Sequence, residues 1–410
     1  MEAWRLVKDR AEIVGFKTKT TNLEITENIN DLKIIMEEET SELDEVVINA
    51  GSFEAGDTKK SVVLKPLDVA LTAGANGDIF GAFGTLPGSH KVGEEGRLFV
   101  RGGESYETKT FMDGMLINTP YFSKMPDLPT RGRFSPLLFN GSVFSTGGYS
   151  AEFGQALSSI VALNTTALEP ESKSTISILS VGVQASHTRR WENTSLSLTG
   201  ELLHTGLSNN MFKQNINWIN EPVIAGSTLL FRQKTSETGM IKTFGSFSYN
   251  ASSMMYRNFQ TSAFQNIALS NNNSYINTTY NEMLNENWML NTGIAINLDA
   301  ENTDIDENNI LATKRSGQTK VSFTNLSIKN VTTIMGADYL FYDYTQDIRM
   351  DGDFLLSFSN HQFSTFVESE AKITSYLAFR AGIRAEHNSL MTKTNINPRL
   401  SAAVKTGKNS

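Results

Sequence analysis

Two glycine-rich stretches constrain this 410-residue chain more than any other feature. The first runs Leu98-Phe99-Val100-Arg101-Gly102-Gly103 and leads to Phe111-Met112-Asp113-Gly114. The second is Val143-Phe144-Ser145-Thr146-Gly147-Gly148-Tyr149-Ser150-Ala151-Glu152-Phe153-Gly154. Arg-Gly-Gly and Asp-Gly are turn chemistry, because glycine takes positive φ at no steric cost and aspartate tolerates the left-handed region. Each follows an apolar run with strand character, Leu98 to Val100 and then Phe111 with Met112. The segment therefore reads as a compact, turn-dense β unit. On the residues alone, two hairpins in any β-rich domain satisfy the pattern.

In order and spacing the set resembles the plug of the TonB-dependent outer-membrane receptors. In that family an apolar strand ending in Arg-Gly-Gly leads to a second ending in Asp-Gly, and a later segment ending in Ala-Glu-Tyr/Phe-Gly comes just before the barrel. The resemblance assigns Arg101, Gly102, Gly103, Asp113, Gly114, Gly147, Gly148, Glu152 and Gly154 to the plug motifs. It implies a mostly β fold in three parts. Residues 1–42 would be a small β-sandwich remnant and residues 43–170 an α+β plug with its coupling segment. Residues 171–410 would be the first part of an antiparallel transmembrane β-barrel, about 22-stranded when complete.

Composition narrows the alternatives. No stretch approaches the ~18 consecutive apolar residues of a transmembrane helix, and the apolar fraction of 39% is low for a globular protein. Barrel strands produce such a composition because only alternate residues face lipid. The formal net charge of -8 and the lack of a basic block argue against a nucleic-acid partner. There is no cysteine, which removes disulfides, thiolate metal sites and cysteine nucleophiles without fixing a compartment. Met1-Glu2-Ala3-Trp4-Arg5 lacks a basic n-region and an apolar h-region, so a natural start further upstream is expected. Thr406-Gly407-Lys408-Asn409-Ser410 reads as a hairpin turn with no return strand. A barrel of ~22 strands needs over about 440 residues, and 171–410 supply roughly half. The expectation is a fragment truncated at both ends.

Residues 1–42 alternate and are rich in β-branched residues, with Ile13, Val14, Phe16, Leu23, Ile25, Ile29, Leu32, Ile34 and Met36 as buried candidates. Val14-Gly15-Phe16-Lys17-Thr18 is similar to the end of the carboxypeptidase-regulatory-like module that precedes the plug in many Bacteroidetes receptors. Glu37-Glu38-Glu39 reads as a solvated linker. Leu43, Asp44, Glu45, Val46, Val47 and Ile48 follow, where these receptors carry the TonB box. An extended β-branched segment beside a linker can add itself to a partner's open sheet edge, main-chain hydrogen bonds supplying affinity. An edge strand of the upstream sandwich is the alternative. From Pro66 to Leu86 the chain is helix-tolerant, with Leu67, Val69, Leu71, Ile79, Phe80 and Phe83 as the packing face and Pro87-Gly88 as the stop. Met115 to Tyr121 and Asp127 to Pro136 carry proline and glycine too often for regular structure and read as plug loops reaching toward the ligand side. Leu157 to Leu163 reads as the last plug strand.

The remainder is read from period-two patterning. Leu377, Phe379, Ala381 and Ile383 fall on one face, and Tyr376, Arg380 and Arg384 on the other. Leu196, Leu198 and Leu202 likewise separate from Ser195, Ser197, Thr199 and Glu201, and Tyr339 and Phe341 from Leu340, Tyr342 and Tyr344. This is a lipid-out, water-in alternation, with the aromatic group suited to an interfacial girdle. Asn271 to Ser274, Asp304 to Asn309 and Asp347 to Asp353 read as long extracellular loops. A soluble sandwich or solenoid is the alternative for this region.

No catalytic constellation is present. There is no Gly-x-Ser-x-Gly elbow, phosphate loop or His-Glu-x-x-His, and the five histidines are widely spread. Asp304-Ile305-Asp306 lacks the glycine and closing glutamate of a calcium loop. No enzyme activity, metal or cofactor is expected. The resemblance places at Arg101 an arginine that pairs with carboxylates of the barrel wall, and Thr146 stands where a second such arginine is frequent. It implies energised uptake across the outer membrane of a Gram-negative bacterium, with TonB, outer-membrane lipid and a small-molecule, glycan or peptide ligand as partners. Siderophores, haem and vitamins enter through this architecture, and specificity sits in loops. The competing class is a non-transporting β-rich surface binding module or adhesin.

Overall fold

The computed structural model describes residues 5–11, 19–25, 61–92, 95–126, 128–213, 215–258, 261–350, 352–374 and 376–404. The chain divides into two compact units, Met1–Val46 and Val47–Ser410. In the first, β1 (Arg5–Ala11) and β2 (Lys19–Ile25) pair antiparallel from Arg5↔Ile25 to Ala11↔Lys19. Ile13, Val14, Phe16, Ile29, Leu32, Ile34, Met36 and the Leu43–Ile48 segment lie outside the described residues.

The second unit begins with a five-stranded sheet. Its strands are β3 (Ser61–Leu64), β6 (Thr108–Met112), β7 (Met115–Ile117), β8 (Phe139–Ser145) and β9 (Ser159–Thr165), while β4 (Ser89–Val92) and β5 (Glu95–Val100) form a separate hairpin. The order is β3-β8-β9-β6-β7, with β6 parallel to β9 and the other neighbours antiparallel. Two short helices, α1 (Pro66–Leu71) and α2 (Ile79–Phe83), cover it. Proline opens α1, where a missing N–H costs nothing, and the Asp78 carboxylate caps α2 by accepting from Phe80 N at 2.9 Å. Val69, Ile79, Phe80 and Phe83 pack with Leu98, Phe144, Val161 and Leu163. Leu67 and Leu71 do not join them and stay exposed, because a helix under two turns long turns only one narrow face inward. Two further expectations are corrected. Met115 to Ile117 is regular, forming the edge strand β7, and Leu157 is exposed ahead of β9.

From Lys173 onward the chain is one antiparallel ladder in sequence order. It comprises β10 (Lys173–Leu179), β11 (Gly182–Arg190), β12 (Thr194–His204), β13 (Asn217–Lys234), β14 (Met240–Arg257), β15 (Phe264–Asn285), β16 (Trp288–Ile305), β17 (Asn308–Asn325), β18 (Val331–Arg349), β19 (Asp353–Lys372), β20 (Leu377–Asn388) and β21 (Lys393–Val404). Strands of 18 to 22 residues in its middle exceed the ~9–11 that a tilted strand needs to cross hydrocarbon. Side chains alternate through the wall. On β16, Ile294, Ile296 and Leu298 point outward and exposed, while Ala295, Asn297 and Asp299 are buried on the inner face. On β20, Phe379 and Ile383 point out and Arg380 and Arg384 in. Among the described residues no helix is long and apolar enough to cross a membrane.

The three long loops expected in this region are replaced by strand. Asn271 to Ser274 lies inside β15, only Asp306 and Glu307 separate β16 from β17, and β18 and β19 approach to Arg349 and Asp353. Polarity misled the reading here because the wall's inner face meets a polar partner. Asn271 and Asn273 are fully buried against it. The five-stranded unit is that partner, and its apolar core continues into Leu230, Phe244, Tyr275 and Ala295 of the wall.

Candidate functional site: the plug seat

Both short turns of the plug require positive φ at their two central residues, as in a two-residue hairpin of the I′ kind. Arg101 and Gly102 have φ of 52° and 79°, and Gly103 N donates to Val100 O at 2.9 Å. Asp113 and Gly114 have φ of 48° and 82° and join β6 to β7. The Asp113 carboxylate accepts from Thr165 N at 2.9 Å and Thr165 Oγ1 at 2.6 Å, which fastens this turn to the end of β9. Arg232 of the wall then donates to Thr165 Oγ1 and to Thr166 O, both at 2.7 Å.

Arg101 is exposed, and its Nη2 donates to Thr146 Oγ1 at 3.1 Å. It ties the two glycine motifs to each other. The expected pairing with wall carboxylates is not formed by it among the described residues, because its left-handed turn directs the side chain across the plug surface. Around the second glycine motif most of the charges that join plug to wall run the other way, from wall arginines to plug carbonyls. Arg380 Nη1 donates to Gly148 O at 3.1 Å, Arg384 Nη1 to Ala151 O and Glu152 O at 3.4 and 3.3 Å, and Arg399 Nη2 to Phe153 O at 2.9 Å. Arg399 Nη1 also donates to Ser150 O. Wall acids hold the Arg380 and Arg384 guanidinium groups in place. Arg384 Nη2 meets Asp338 Oδ2 at 2.7 Å and its Nε meets Glu386 Oε1 at 2.5 Å, while Arg380 meets Glu370 Oε2 at 2.6 Å and Glu368 Oε1 at 3.5 Å. Glu368 also accepts Ala151 N at 2.7 Å. Lys320 pairs with Glu152 at 2.8 Å and donates to Gly114 O at 3.3 Å.

The segment Gly148 to Phe153 thus lacks regular structure of its own, and its backbone groups are satisfied by the wall. Gly147 and Gly148, at φ of 148° and 70°, start it. Gly154 ends it where a Cβ would lie 2.6 Å from Arg384 Nη2. The edge strand β7 is met in the same way. Leu116 N donates to Gln318 Oε1 at 2.8 Å, and Asn277 Nδ2 donates to Met112 O at 3.0 Å. Sequence reasoning placed Arg380 and Arg384 on the inner face but missed their role. The available signal was two arginines four residues apart on the wet face of a strand, beside Glu368, Glu370 and Glu386.

A second anchor lies in the loop before Phe134. The Arg133 side chain is buried, donates to Asn271 Oδ1 at 2.8 Å and Ser248 Oγ at 2.9 Å, and lies 3.6 Å from Asp299 Oδ1. Burial pushes its pKa down to about 10 against the opposing pull of Asp299 and Glu301, so it stays charged at neutral pH. Among the described residues no group of histidine, aspartate and glutamate is placed to hold a metal ion.

No family model and no curated protein matches the sequence. Solved structures match its fold. A mutant of the ferric enterobactin receptor of Pseudomonas aeruginosa aligns over 87% of this chain and 62% of its own, with 11% identity and a TM-score of 0.61. The outer-membrane transporter YddB of Escherichia coli aligns over 84% and 58%, with 11% identity and a TM-score of 0.60. The ferric yersiniabactin uptake receptor FyuA of Yersinia pestis aligns over 87% and 61%, with 9% identity and a TM-score of 0.60. The chain spans about three fifths of the length of these proteins. Its fold is that of the plug and part of the barrel in these structures.

Proposed function

We propose that the protein is a TonB-dependent receptor of the Bacteroidetes type in a Gram-negative outer membrane, which takes up a scarce ligand with energy delivered from the inner membrane. The observation that carries this reading is a folded plug bound by its main chain to the polar inner face of a wall whose outer face is apolar. A plug so placed blocks free diffusion, and a transporter must release it without unfolding the wall. Hydrogen bonds from side chains to a non-regular segment suit that task, since they break one at a time. Leu43 to Ile48 would be the strand that TonB grasps, by edge addition. Residues 43–170 then act as coupling segment and plug, residues 171–410 as wall, and residues 1–42 as the remnant of a carboxypeptidase-regulatory-like module. Ligands of the class carried by the ferric-siderophore receptors above are the first candidates, with haem, vitamins, glycans and peptides beside them.

The test is expression of the complete reading frame in a Gram-negative host, followed by membrane fractionation and uptake of labelled ligands with and without TonB. Recovery in the outer membrane with TonB-dependent uptake supports the reading. Recovery of a folded, surface-attached product that binds ligand equally without transport would replace it by a binding module.

A further inference from the structure

The chain carries two Asn-Gly pairs, Asn76-Gly77 and Asn140-Gly141, and the fold puts them in opposite settings. Asn140 is exposed but lies in β8, an inner strand of the plug sheet between β3 and β9, where Gly141 is in register with Asn164. A Cβ on Gly141 would lie 3.3 Å from Val63 Cγ1. Asn76 sits between α1 and α2 at a φ of 52°, with Gly77 at 69°. They are the central residues of a turn closed by Asp78 N, which donates to Ala75 O at 2.9 Å. Asn76 is exposed, and a Cβ on Gly77 would meet nothing within 4 Å. Among the described residues neither the Asn76 side-chain amide nor Gly77 N has a hydrogen-bond partner.

The same turn holds the loop that carries Arg133. Asn76 O accepts from Arg131 Nη2, and the Asp78 carboxylate, besides capping α2 through Phe80 N, accepts from Gly132 N at 2.8 Å. Gly132 is packed without slack, since a Cβ there would lie 2.7 Å from the Phe80 ring. The next residue is Arg133, the anchor to Ser248 and Asn271 of the wall. A small change in the length of the turn is therefore passed to the loop through Arg131 and Gly132.

We propose that Asn76 is a site of spontaneous covalent modification, a main-chain cyclisation that loosens the loop at residues 131–133. Gly77 N, having given its proton to hydroxide, attacks Asn76 Cγ. The bond from Cγ to the side-chain nitrogen breaks, and that nitrogen leaves as ammonia after taking a proton from water. Glycine suits the attack because it has no Cβ to crowd it. Water then opens the cyclic imide at either carbonyl, giving aspartate or isoaspartate, and no other reactant is needed. In the isoaspartate form the peptide bond to Gly77 runs through the former side chain. The main chain is then one carbon longer, and the carbonyl that accepted from Arg131 has become a free carboxylate. The bond from Asp78 N to Ala75 O is lost with the turn, and with it the placement of Asp78 against Gly132. The assignment is independent of the receptor reading, since it needs only the folded plug.

The complete protein, folded in detergent, is warmed at mildly alkaline pH and sampled over time by peptide mass mapping, with isoaspartate read by enzymatic carboxyl methylation. Asn76 is expected to convert to a mixture of isoaspartate and aspartate about tenfold or more faster than Asn140, whose cyclisation requires an inner strand to open. In urea the two are expected to convert at similar rates; a difference of the same size in the unfolded chain would assign the selection to local sequence and remove the turn from the argument. Trypsin cleavage after Arg131 should rise about fivefold in the aged, folded protein, the factor that one lost hydrogen bond is worth. Asn76→Gly, which keeps a residue suited to positive φ, should show no such rise. Equal conversion of the two asparagines in the folded protein, or aspartate at residue 76 without isoaspartate, overturns the assignment. Conversion with unchanged cleavage overturns the link to the loop, a comparison of aged with fresh parent that holds even where Asn76→Gly fails to fold.

Discussion

Gly103 and Gly154 are positions where one added carbon meets charged side chains, Glu107 at the first and Arg384 with Glu386 at the second. A Cβ on Gly103 would lie 2.5 Å from Glu107 Oε2 and 3.1 Å from both Ser158 Cβ and Val100 O, so a branched side chain there has to displace the Glu107 carboxylate and push the Val100 carbonyl and Ser158 apart. We expect Gly103→Val to abolish ligand uptake while the wall still inserts, as read by uptake and by heat-modifiable migration of the barrel; normal uptake would remove the turn from the mechanism. At Asp113 the loss is of acceptors. Asp113→Ala leaves Thr165, which is 1% exposed, with a backbone and a hydroxyl donor unmet. The expected loss is ~1–3 kcal/mol of plug stability, measurable as a lower denaturant midpoint for plug protease resistance. An unchanged midpoint would mean that water replaces the carboxylate.

At the scale of elements, the clamp on Gly148 to Phe153 depends on wall strands β20 and β21 more than on the plug. Arg384→Ala leaves Asp338, also buried, without its guanidinium and removes two bonds to plug carbonyls. Breaking a buried pair by one partner costs ~3–5 kcal/mol. Replacing Arg384 and Asp338 together by Met and Leu is expected to cost less, because Asp338 is no longer stranded and Glu386, the other carboxylate on Arg384, keeps hydrogen bonds from Gln362 and Asn397. Thermal denaturation of the pair of variants in detergent would show the single change as the more damaging; the reverse order would deny the ion pair its positioning role. The wall's long polar strands follow the same logic. Asn271, Asn273 and Asn277 on β15 hydrogen-bond to plug, wall or both, so an asparagine-rich run is strand where its partner is polar.

For the whole molecule, the proposed transport function requires a seat that holds at rest and lets go under load. The chain has no cysteine, so a single one at Ala151, fully buried between plug and wall, reports unseating cleanly. We expect Arg380→Ala, Arg384→Ala and Arg399→Ala combined to raise the labelling rate of Ala151→Cys by about tenfold or more in membranes, since local opening of ~1.4 kcal/mol lower cost is a factor of ten. Unchanged labelling would place the hold in the apolar core instead. Coupling is tested at the same scale. Val47→Pro removes a donor and strand-compatible backbone from the proposed coupling segment, and ligand binding should persist while TonB-dependent uptake stops. Normal uptake by that variant would move the coupling strand elsewhere.

Much of this architecture is legible before any coordinates are known, and the reason is local. Turn positions at Arg101-Gly102 and Asp113-Gly114 follow from which residues accept positive φ, and the two faces of β12 and β20 follow from a backbone period of two. Neither depends on distant partners. The clamp does, since Arg384 reaches Ala151 across a separation of 233 residues, and nothing within reach of either residue in sequence names the other. Likewise the strand character of Asn271 to Ser274 and the exposure of Arg101 turn on what faces them. Backbone geometry writes itself into neighbouring residues, but the environment of a side chain exists only once plug and wall have packed.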